Sequence, residues 1–300
     1  MRPETIVVGG GISGLTAGFE LARRGHAVTV VEREDEPGGN VRTRRVGGFL
    51  CETGPHTFLG SATQIFDLVE RLGIEEELAR TERRADARFI VRDGRVHRAP
   101  GGLGSFLTTG LVGLRSKLEL AREPWRRGPV SDDDTAAVFF RRRFGEEAAS
   151  ILAGAFVNGV YAGDPEALSA RAAFPLFWGF ERDHGSMIRG AIALKKRRRA
   201  EGTRVRKGLY SFRGGLGRIS AALADGIGTA PGGRLLAGAR ATGVVQEADG
   251  WRVELPDRAP LRGARLVVAT PPAEAARLLE ATDPTLAGAL AEVTLAPRSE

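Results

Sequence analysis

The stretch that decides the fold runs Thr5-Ile6-Val7-Val8-Gly9-Gly10-Gly11-Ile12-Ser13-Gly14-Leu15 and resumes at Ala27-Val28-Thr29-Val30-Val31-Glu32. A β-branched run that breaks into glycine predicts a strand over Thr5–Val8. Leu15, Phe19 and Ala22 then recur at helical spacing, and Gly25 supplies the stop. The second apolar run is too continuous for a half-exposed sheet and reads as a buried parallel strand. The opening segment is therefore a βαβ unit.

Inside that unit Gly9, Gly11 and Gly14 make a GxGxxG between strand and helix, and Glu32 stands at the tip of the next strand. Each has a physical role in holding a dinucleotide. Gly9 permits the tight turn, Gly11 lets the backbone approach a pyrophosphate at the helix N-terminus, and Gly14 allows close helix and strand packing. Glu32 accepts hydrogen bonds from ribose hydroxyls and repels a 2′-phosphate, which argues against NADP. The bare glycine motif is weak evidence, since a turn without a ligand looks the same. Strand, helix and acid in their proper places make it a dinucleotide site.

Outward from there, a second helix is expected from Ser61, capped by its hydroxyl with Gln64 reaching back, and carrying Ile65, Leu68, Val69 and Leu72 to a stop at Gly73. Residues 88–97 alternate around Asp93-Gly94, a strong hairpin signal. From Pro100 to Lys207 strand patterns vanish, helical periods dominate, and aromatic residues crowd between Phe139 and Phe180. This stretch reads as a separate helical lobe. It closes in the basic run Lys195–Lys207, which either meets anionic lipid or is a solvated helix end. Strands resume at 239–245 and 251–255, and the run from Ala264 to Pro272 reads as a buried strand ended by two prolines. The expected division is a discontinuous domain over 1–87 and 206–300, interrupted by a hairpin and helical lobe over 88–205.

Composition narrows the class. A chain of 300 residues with 42% hydrophobic and 27% charged side chains is globular, neither disordered nor fibrous. The single Cys51 excludes a disulfide within the chain, fits a reducing compartment, and is expected to be a small buried thiol. No apolar run reaches the roughly 18 residues a spanning helix needs, and the first residues lack a signal-peptide core. A cytoplasmic protein is expected, with peripheral membrane contact left open. The net charge of +7 favours acidic partners: nucleic acid, an anionic membrane face or a carboxylate-bearing substrate. The histidines and the cysteine show no metal-ligand spacing, and no serine or cysteine nucleophile stands out.

The choice between NAD and FAD turns on Gly38-Gly39-Asn40-Val41-Arg42-Thr43, followed by "GGFLCETGPHTF" over Gly47–Phe58. A second glycine doublet just past the ribose acid lets another loop lie against the dinucleotide, which a plain NAD domain does not need. With these residues the sequence resembles the FAD-dependent amine oxidase, phytoene desaturase and protoporphyrinogen oxidase superfamily. Within it, "NGVYAGDPEALSARAAFP" over Asn158–Pro175, "ETGPHTF" over Glu52–Phe58 and "SFRGGLG" over Ser211–Gly217 resemble the protoporphyrinogen and coproporphyrinogen oxidases. The resemblance implies an α/β fold: a Rossmann-like FAD-binding domain of the p-hydroxybenzoate hydroxylase and amine oxidase type, an inserted helical lobe, and part of a substrate-binding domain. The family's C-terminal glycine turn over the flavin has no counterpart between Ala273 and Glu300. Marginal stability, poor FAD retention and little or no oxidase activity of this chain alone are the expectation that follows.

The same resemblance implies a site. FAD is held by Gly9, Gly11, Gly14, Glu32, Gly38 and Gly39, while Gly54 and Pro55 pass near the isoalloxazine. Ala241, where relatives usually carry valine, presents backbone groups to adenine from the strand after the "SFRGGLG" helix. Arg88 pairs with a propionate, for which its planar fork is suited, and Gly159 and Gly163 bind substrate. His56 either approaches the flavin or is a satisfied histidine beside a turn. The implied reaction oxidises protoporphyrinogen IX or coproporphyrinogen III to the porphyrin with oxygen as acceptor, in heme biosynthesis, and asks little acid or base work of side chains. Asn40 stands where amine oxidases carry Arg, which weighs against that branch. An amine oxidase, a carotenoid desaturase and a non-catalytic or truncated FAD-binding paralogue remain the alternatives.

Overall fold

Thr5–Val8 form strand β1, buried along its whole length, and Ile12–Arg23 form helix α1, which turns Leu15, Phe19 and Ala22 inward. Val28–Val31 form β2, equally buried and parallel to β1, with Thr5 beside Val28. The computed structural model describes residues 4–82, 87–101, 103–126, 131–161, 163–201 and 206–295. They fall into two compact units, Met1–Thr81 with Arg206–Leu295, and Glu82–Val205. After β2 the first unit continues through a hairpin of β3 (Thr43–Val46) and β4 (Phe49–Glu52), then β5 (Phe58–Leu59), α2 (Thr63–Leu72) and β6 (Leu78–Arg80). Helix α2 buries Leu68 and Val69, half-buries Ile65 and Leu72, and ends on left-handed Gly73, as its stripe predicts. Its start differs from expectation. The cap residue is Ala62 and no side chain bonds the first turn, because Ser61 is drawn into the turn leaving β5, where its carbonyl takes the Thr63 N–H at 3.0 Å.

The second unit opens with the hairpin β7 (Phe89–Arg92) and β8 (Arg95–Arg98). Asp93 at φ 51° and Gly94 at φ 71° are the paired left-handed residues that match a two-residue turn to strand twist. Helices follow: α3 (Leu103–Thr108), α4 (Leu114–Ala121), α5 (Ala136–Phe144), α6 (Glu146–Ala148), α7 (Gly154–Tyr161), α8 (Ala170–Ala173), α9 (Pro175–His184) and α10 (Met187–Ala200). Phe139, Phe140, Phe174 and Trp178 form one apolar centre, and Phe106, Leu111, Val112 and Leu120 another. Burial of each such side chain is worth about 1.5–3 kcal/mol. Charge is buried beside them. Glu123 accepts the Ser186 hydroxyl at 2.6 Å and the Met187 N–H at 2.9 Å, capping α10, and Glu181 accepts Arg143 Nε at 2.7 Å and Arg142 Nη2 at 2.9 Å. Every carboxylate oxygen in this set has a donor, which is the condition for keeping ions out of water.

The chain then re-enters the first unit with β9 (Leu209–Phe212), which lies between β5 and β6, and α11 (Gly217–Thr229). The short strand β10 (Gly233–Leu236) has no counterpart in the sequence reading. β11 (Gly243–Glu247), β12 (Gly250–Glu254) and β13 (Leu261–Gly263) form an antiparallel meander, so the first of the expected strands begins four residues later than 239. β14 (Arg265–Val268), α12 (Pro272–Leu279) and α13 (Pro284–Ala291) complete the unit. The central sheet has the order β10-β2-β1-β14, all parallel. Its pleat sends Val7, Val28 and Val30 toward α1, α2 and α11, and sends Ile6, Val8 and Val31 toward the meander and α12. β14 is a half-buried edge strand and not the buried strand its apolar run suggests, because β1 covers only one of its sides. Cys51 is exposed, correcting the expected buried thiol: it lies in β4, a strand of the two-stranded hairpin. Among the described residues no helix is long and apolar enough to cross a membrane.

Candidate functional site

A cavity of about 430 Å³ opens at the carboxyl ends of the parallel strands, the place where open α/β sheets bind ligands. Four strand ends supply its walls. Gly9, Gly11, Ile12 and Ser13 follow β1, Glu32–Glu34 follow β2, Ala239–Ala241 follow β10, and Ala269–Pro271 follow β14. Gly39–Arg42 close it from one side and Glu274 and Arg277 of α12 from another.

The floor is the start of α1. Gly11 precedes the helix with extended dihedrals, and no side chain caps the first turn. The first intrahelical bond is Leu15 N–H to the Gly11 carbonyl at 2.9 Å, so the N–H groups before it have no helical acceptor. A Cβ on Gly11 would meet nothing within 4 Å, which leaves the backbone open to the cavity. Gly14 does the opposite work: a Cβ there would stand 1.8 Å from the Gly9 carbonyl oxygen, so only glycine lets the helix lie this close to the turn. Gly38 donates its N–H to the Gly10 carbonyl at 2.7 Å and forms a parallel bridge with Gly11, which brings the second glycine loop against the first.

Glu32 is almost fully buried. Its Oε2 accepts the Gly10 N–H at 2.7 Å and its Oε1 accepts the Glu34 N–H at 2.9 Å. A carboxylate offers about four lone-pair sites, so two remain for a diol in the cavity. Two residues that the sequence reading did not single out stand in the walls. Arg42 donates to the carbonyls of Gly39 at 2.8 Å and Glu36 at 3.4 Å, and among the described residues no carboxylate pairs with it, so its positive charge is left for an anion. The Thr270 hydroxyl is buried and has no hydrogen-bond partner among the described residues, an orphan that a ligand in the cavity would satisfy. Arg277, in contrast, is held by Glu274 at 3.0 Å and by the Ala241 carbonyl at 3.3 Å.

Of the expected cofactor residues, Gly9, Gly11, Glu32, Gly39 and Ala241 line the cavity, and Gly14 and Gly38 shape it from behind. Ala241 sits in the connection between β10 and β11 and in no strand; its carbonyl takes the Arg277 guanidinium. Gly54 and Pro55 follow β4 and do not line the cavity, and His56 beside them is exposed. The expected substrate residues belong to the other unit. Arg88 is exposed at the entry to β7, where its carbonyl accepts the Ala99 N–H at 2.8 Å. Gly159 lies on an exposed part of α7 and Gly163 beyond it, while Ala162 between them is outside the described residues. Around them the family-like motif serves packing: Leu168 receives the Ala136 N–H, Ser169 caps α8, and the Tyr161 hydroxyl donates to the Ala173 carbonyl at 2.6 Å. The basic run is exposed along the end of α10, with 202–205 outside the described residues. Among the described residues no group of three or more metal-ligating side chains occurs.

Comparison with known proteins bears on this geometry. A family model described as flavin containing amine oxidoreductase matches residues 12–297. Protoporphyrinogen oxidase 2 of Arabidopsis thaliana is 32% identical over 227 residues, which is 70% of this chain and 44% of that protein. Coproporphyrinogen III oxidase of Bacillus subtilis is 30% identical over 204 residues, covering 63% of this chain and 43% of its own. The chain thus spans less than half the length of these relatives. An Exiguobacterium structure named as a candidate protoporphyrinogen oxidase superposes over 95% of this chain and 63% of its own with a TM-score of 0.73 at 24% identity. Putrescine oxidase with putrescine bound covers 93% of this chain and 60% of its own at 0.63 and 20%, so the likeness is one of fold.

Proposed function

Because the chain belongs to the flavin containing amine oxidoreductase family, we propose that its cavity holds FAD for the oxidation of a porphyrinogen, protoporphyrinogen or coproporphyrinogen, with oxygen as the final acceptor. FAD is the cofactor, and the site fits it on its own terms: an uncapped helix start, an unneutralised Arg42, an orphaned Thr270 hydroxyl and an acid with lone pairs to spare. The observation that carries the reading is the second glycine loop lying on the first, which a site for NAD alone does not require. Protoporphyrinogen and coproporphyrinogen oxidases at 30–32% identity support the substrate class.

When bound, FAD supplies a two-electron acceptor for hydride. The chain's own residues bind and orient. The α1 N–H groups and Arg42 would hold the pyrophosphate, since helix dipole and guanidinium both favour negative charge. Glu32 would accept from the ribose diol, and its two backbone bonds hold the carboxylate in the cavity wall. Arg88, an exposed residue at the entry to β7, would pair its planar fork with a propionate of the macrocycle.

Purified protein with FAD added tests this under anaerobic conditions. Bleaching of the flavin by protoporphyrinogen or coproporphyrinogen, and not by amines, is the expected result. Bleaching by an amine alone would move the chain to the amine oxidase branch, and a bound flavin that none of them reduces would make it a non-catalytic binder.

A further inference from the structure

Thr43 and Glu52, partners across the β3–β4 hairpin, meet the distant Leu216-Gly217 in one hydrogen-bonded knot. Glu52 Oε1 accepts the Leu216 N–H at 2.8 Å, and Oε2 accepts the Thr43 hydroxyl at 2.7 Å. The Thr43 oxygen in turn accepts the Gly217 N–H at 2.8 Å. The direction of each bond is fixed, because an ionised carboxylate only accepts and the hydroxyl has a single proton to give.

The knot stands at the start of α11, whose own flanking residue provides no side-chain cap. Glu52 and Thr43 therefore satisfy two orphan N–H groups from outside the helix and set a negative charge where its dipole favours one. A Cβ on Gly217 would come within 2.6 Å of the Thr43 backbone nitrogen, so the glycine of "SFRGGLG" is what admits Thr43 to this position.

Immediately before Thr43 comes Gly39–Arg42, the segment that closes one side of the cavity and carries Arg42. That segment is also held locally, by the Val41 N–H on the Gly38 carbonyl, the Thr53 hydroxyl on the Arg42 carbonyl and the burial of Val41 in the core, and by longer-range bonds. The Gly38 N–H reaches the Gly10 carbonyl at 2.7 Å, the Ser220 hydroxyl donates to the Val41 carbonyl at 2.8 Å, and the Thr53 N–H donates to the Arg42 carbonyl at 3.0 Å. Ser220 and the knot both anchor it to α11. We propose that Thr43 and Glu52 are positioning residues: they do not line the cavity, yet their relay to α11 holds Gly39–Arg42 in place and so sets how tightly FAD is held. This rests on reading the cavity as the FAD site.

Two substitutions separate the relay from ordinary packing. Thr43→Val keeps the shape and removes the hydroxyl, whereas Thr43→Ser keeps the hydroxyl. Equilibrium titration of cofactor-free protein with FAD, read by flavin fluorescence, is expected to give a dissociation constant about tenfold higher for the Val variant and within about twofold of the parent for the Ser variant. The urea midpoint of the cofactor-free protein should stay within error in the Ser variant and fall only slightly in the Val variant, where the part-buried Gly217 N–H loses its acceptor, and amide exchange in the Val variant should quicken across residues 38–43 and at 216–217 only. Adding Glu52→Gln to Thr43→Val should weaken FAD binding no further, since the hydroxyl arm is already cut and the Gln oxygen still accepts the Leu216 N–H. Parent-like affinity in the Val variant overturns the proposal, as does an affinity loss matched by a lower urea midpoint and faster exchange throughout. Should the parent chain bind no FAD, the cofactor reading fails by itself, and exchange decides the relay: acceleration across 38–43 beyond that at 216–217 upholds it, and unchanged exchange over 38–43 refutes it.

Discussion

Replacing Glu32 by Ala is expected to weaken the protein before any cofactor is added. The carboxylate ties the glycine turn to the end of β2 by accepting the buried Gly10 N–H at 2.7 Å and the Glu34 N–H at 2.9 Å. Truncation orphans the first donor, at a cost of about 1–3 kcal/mol, while the second is part-exposed and regains most of its bond from water. The cofactor-free protein should lose about 2 kcal/mol, and FAD binding a further 1.5–3 kcal/mol from the lost charge-assisted bonds to the diol, or about 10–150-fold in affinity. Glu32→Gln should fall between, since one amide oxygen still accepts but the NH2 group faces a second donor. Urea unfolding of the cofactor-free proteins followed by circular dichroism reads the first loss, and FAD titration the second. An unchanged urea midpoint in Glu32→Ala would refute the view that this acid braces the turn as well as serving the ribose.

Gly14→Ala should cost about 3 kcal/mol or more, because its Cβ lands 1.8 Å from the Gly9 carbonyl oxygen with the Ala269 methyl 3.2 Å away; Gly11→Ala, with open space around it, should leave the urea midpoint alone and weaken FAD titration. Glu147 accepts from the Ser116 hydroxyl at 2.6 Å, the Gly113 N–H at 3.0 Å and Arg92 at 3.2 Å, which together hold its carboxyl below the ordinary 4.5. A depressed value means that its stabilisation is present above that pH and is lost as the pH falls through the lower folded value, so urea midpoints of parent and Glu147→Gln should converge in acid and diverge toward neutrality. Arg88→Ala should raise KM for a porphyrinogen far more than it lowers flavin content, with Lys restoring only part, and equal kinetics in all three would remove Arg88 from substrate binding.

The parts of this molecule that were legible in its sequence are those that leave a local pattern. β1, α1 and β2 follow from apolar runs and helical spacing within a few dozen residues, and the Asp93-Gly94 hairpin from the φ values that only such a pair tolerates. The glycines and Glu32 were legible because their spacing is itself the mechanism. What was missed is non-local. β10 is four residues between glycines, too short to carry a period, and it exists because β2 offers an edge. Arg42 and Thr270 are ordinary residues by type, and only the neighbours they lack mark them. Thr43 and Glu52 bond partners more than 160 positions away, a relation no window along the chain contains. The Cys51 thiol was misjudged because composition says what is usually buried, while the hairpin that carries it leaves it exposed.

The order β10-β2-β1-β14 has a consequence for how the molecule is made. β1 and β2 leave the ribosome first, yet the strands that flank them are encoded from Gly233 and Arg265 onward. At about 5–20 residues per second, the roughly 200 intervening residues keep both edges of the first hydrophobic pair waiting for about 10–40 s. During that interval the compact unit over Glu82–Val205 is fully synthesised. The nascent chain therefore passes through a stage in which its most apolar strands are its least protected, open to pairing with other chains. A circular permutant in which 206–295 precede 4–81 would bring all four strands out nearly together and shorten that exposure without altering a contact in the finished sheet.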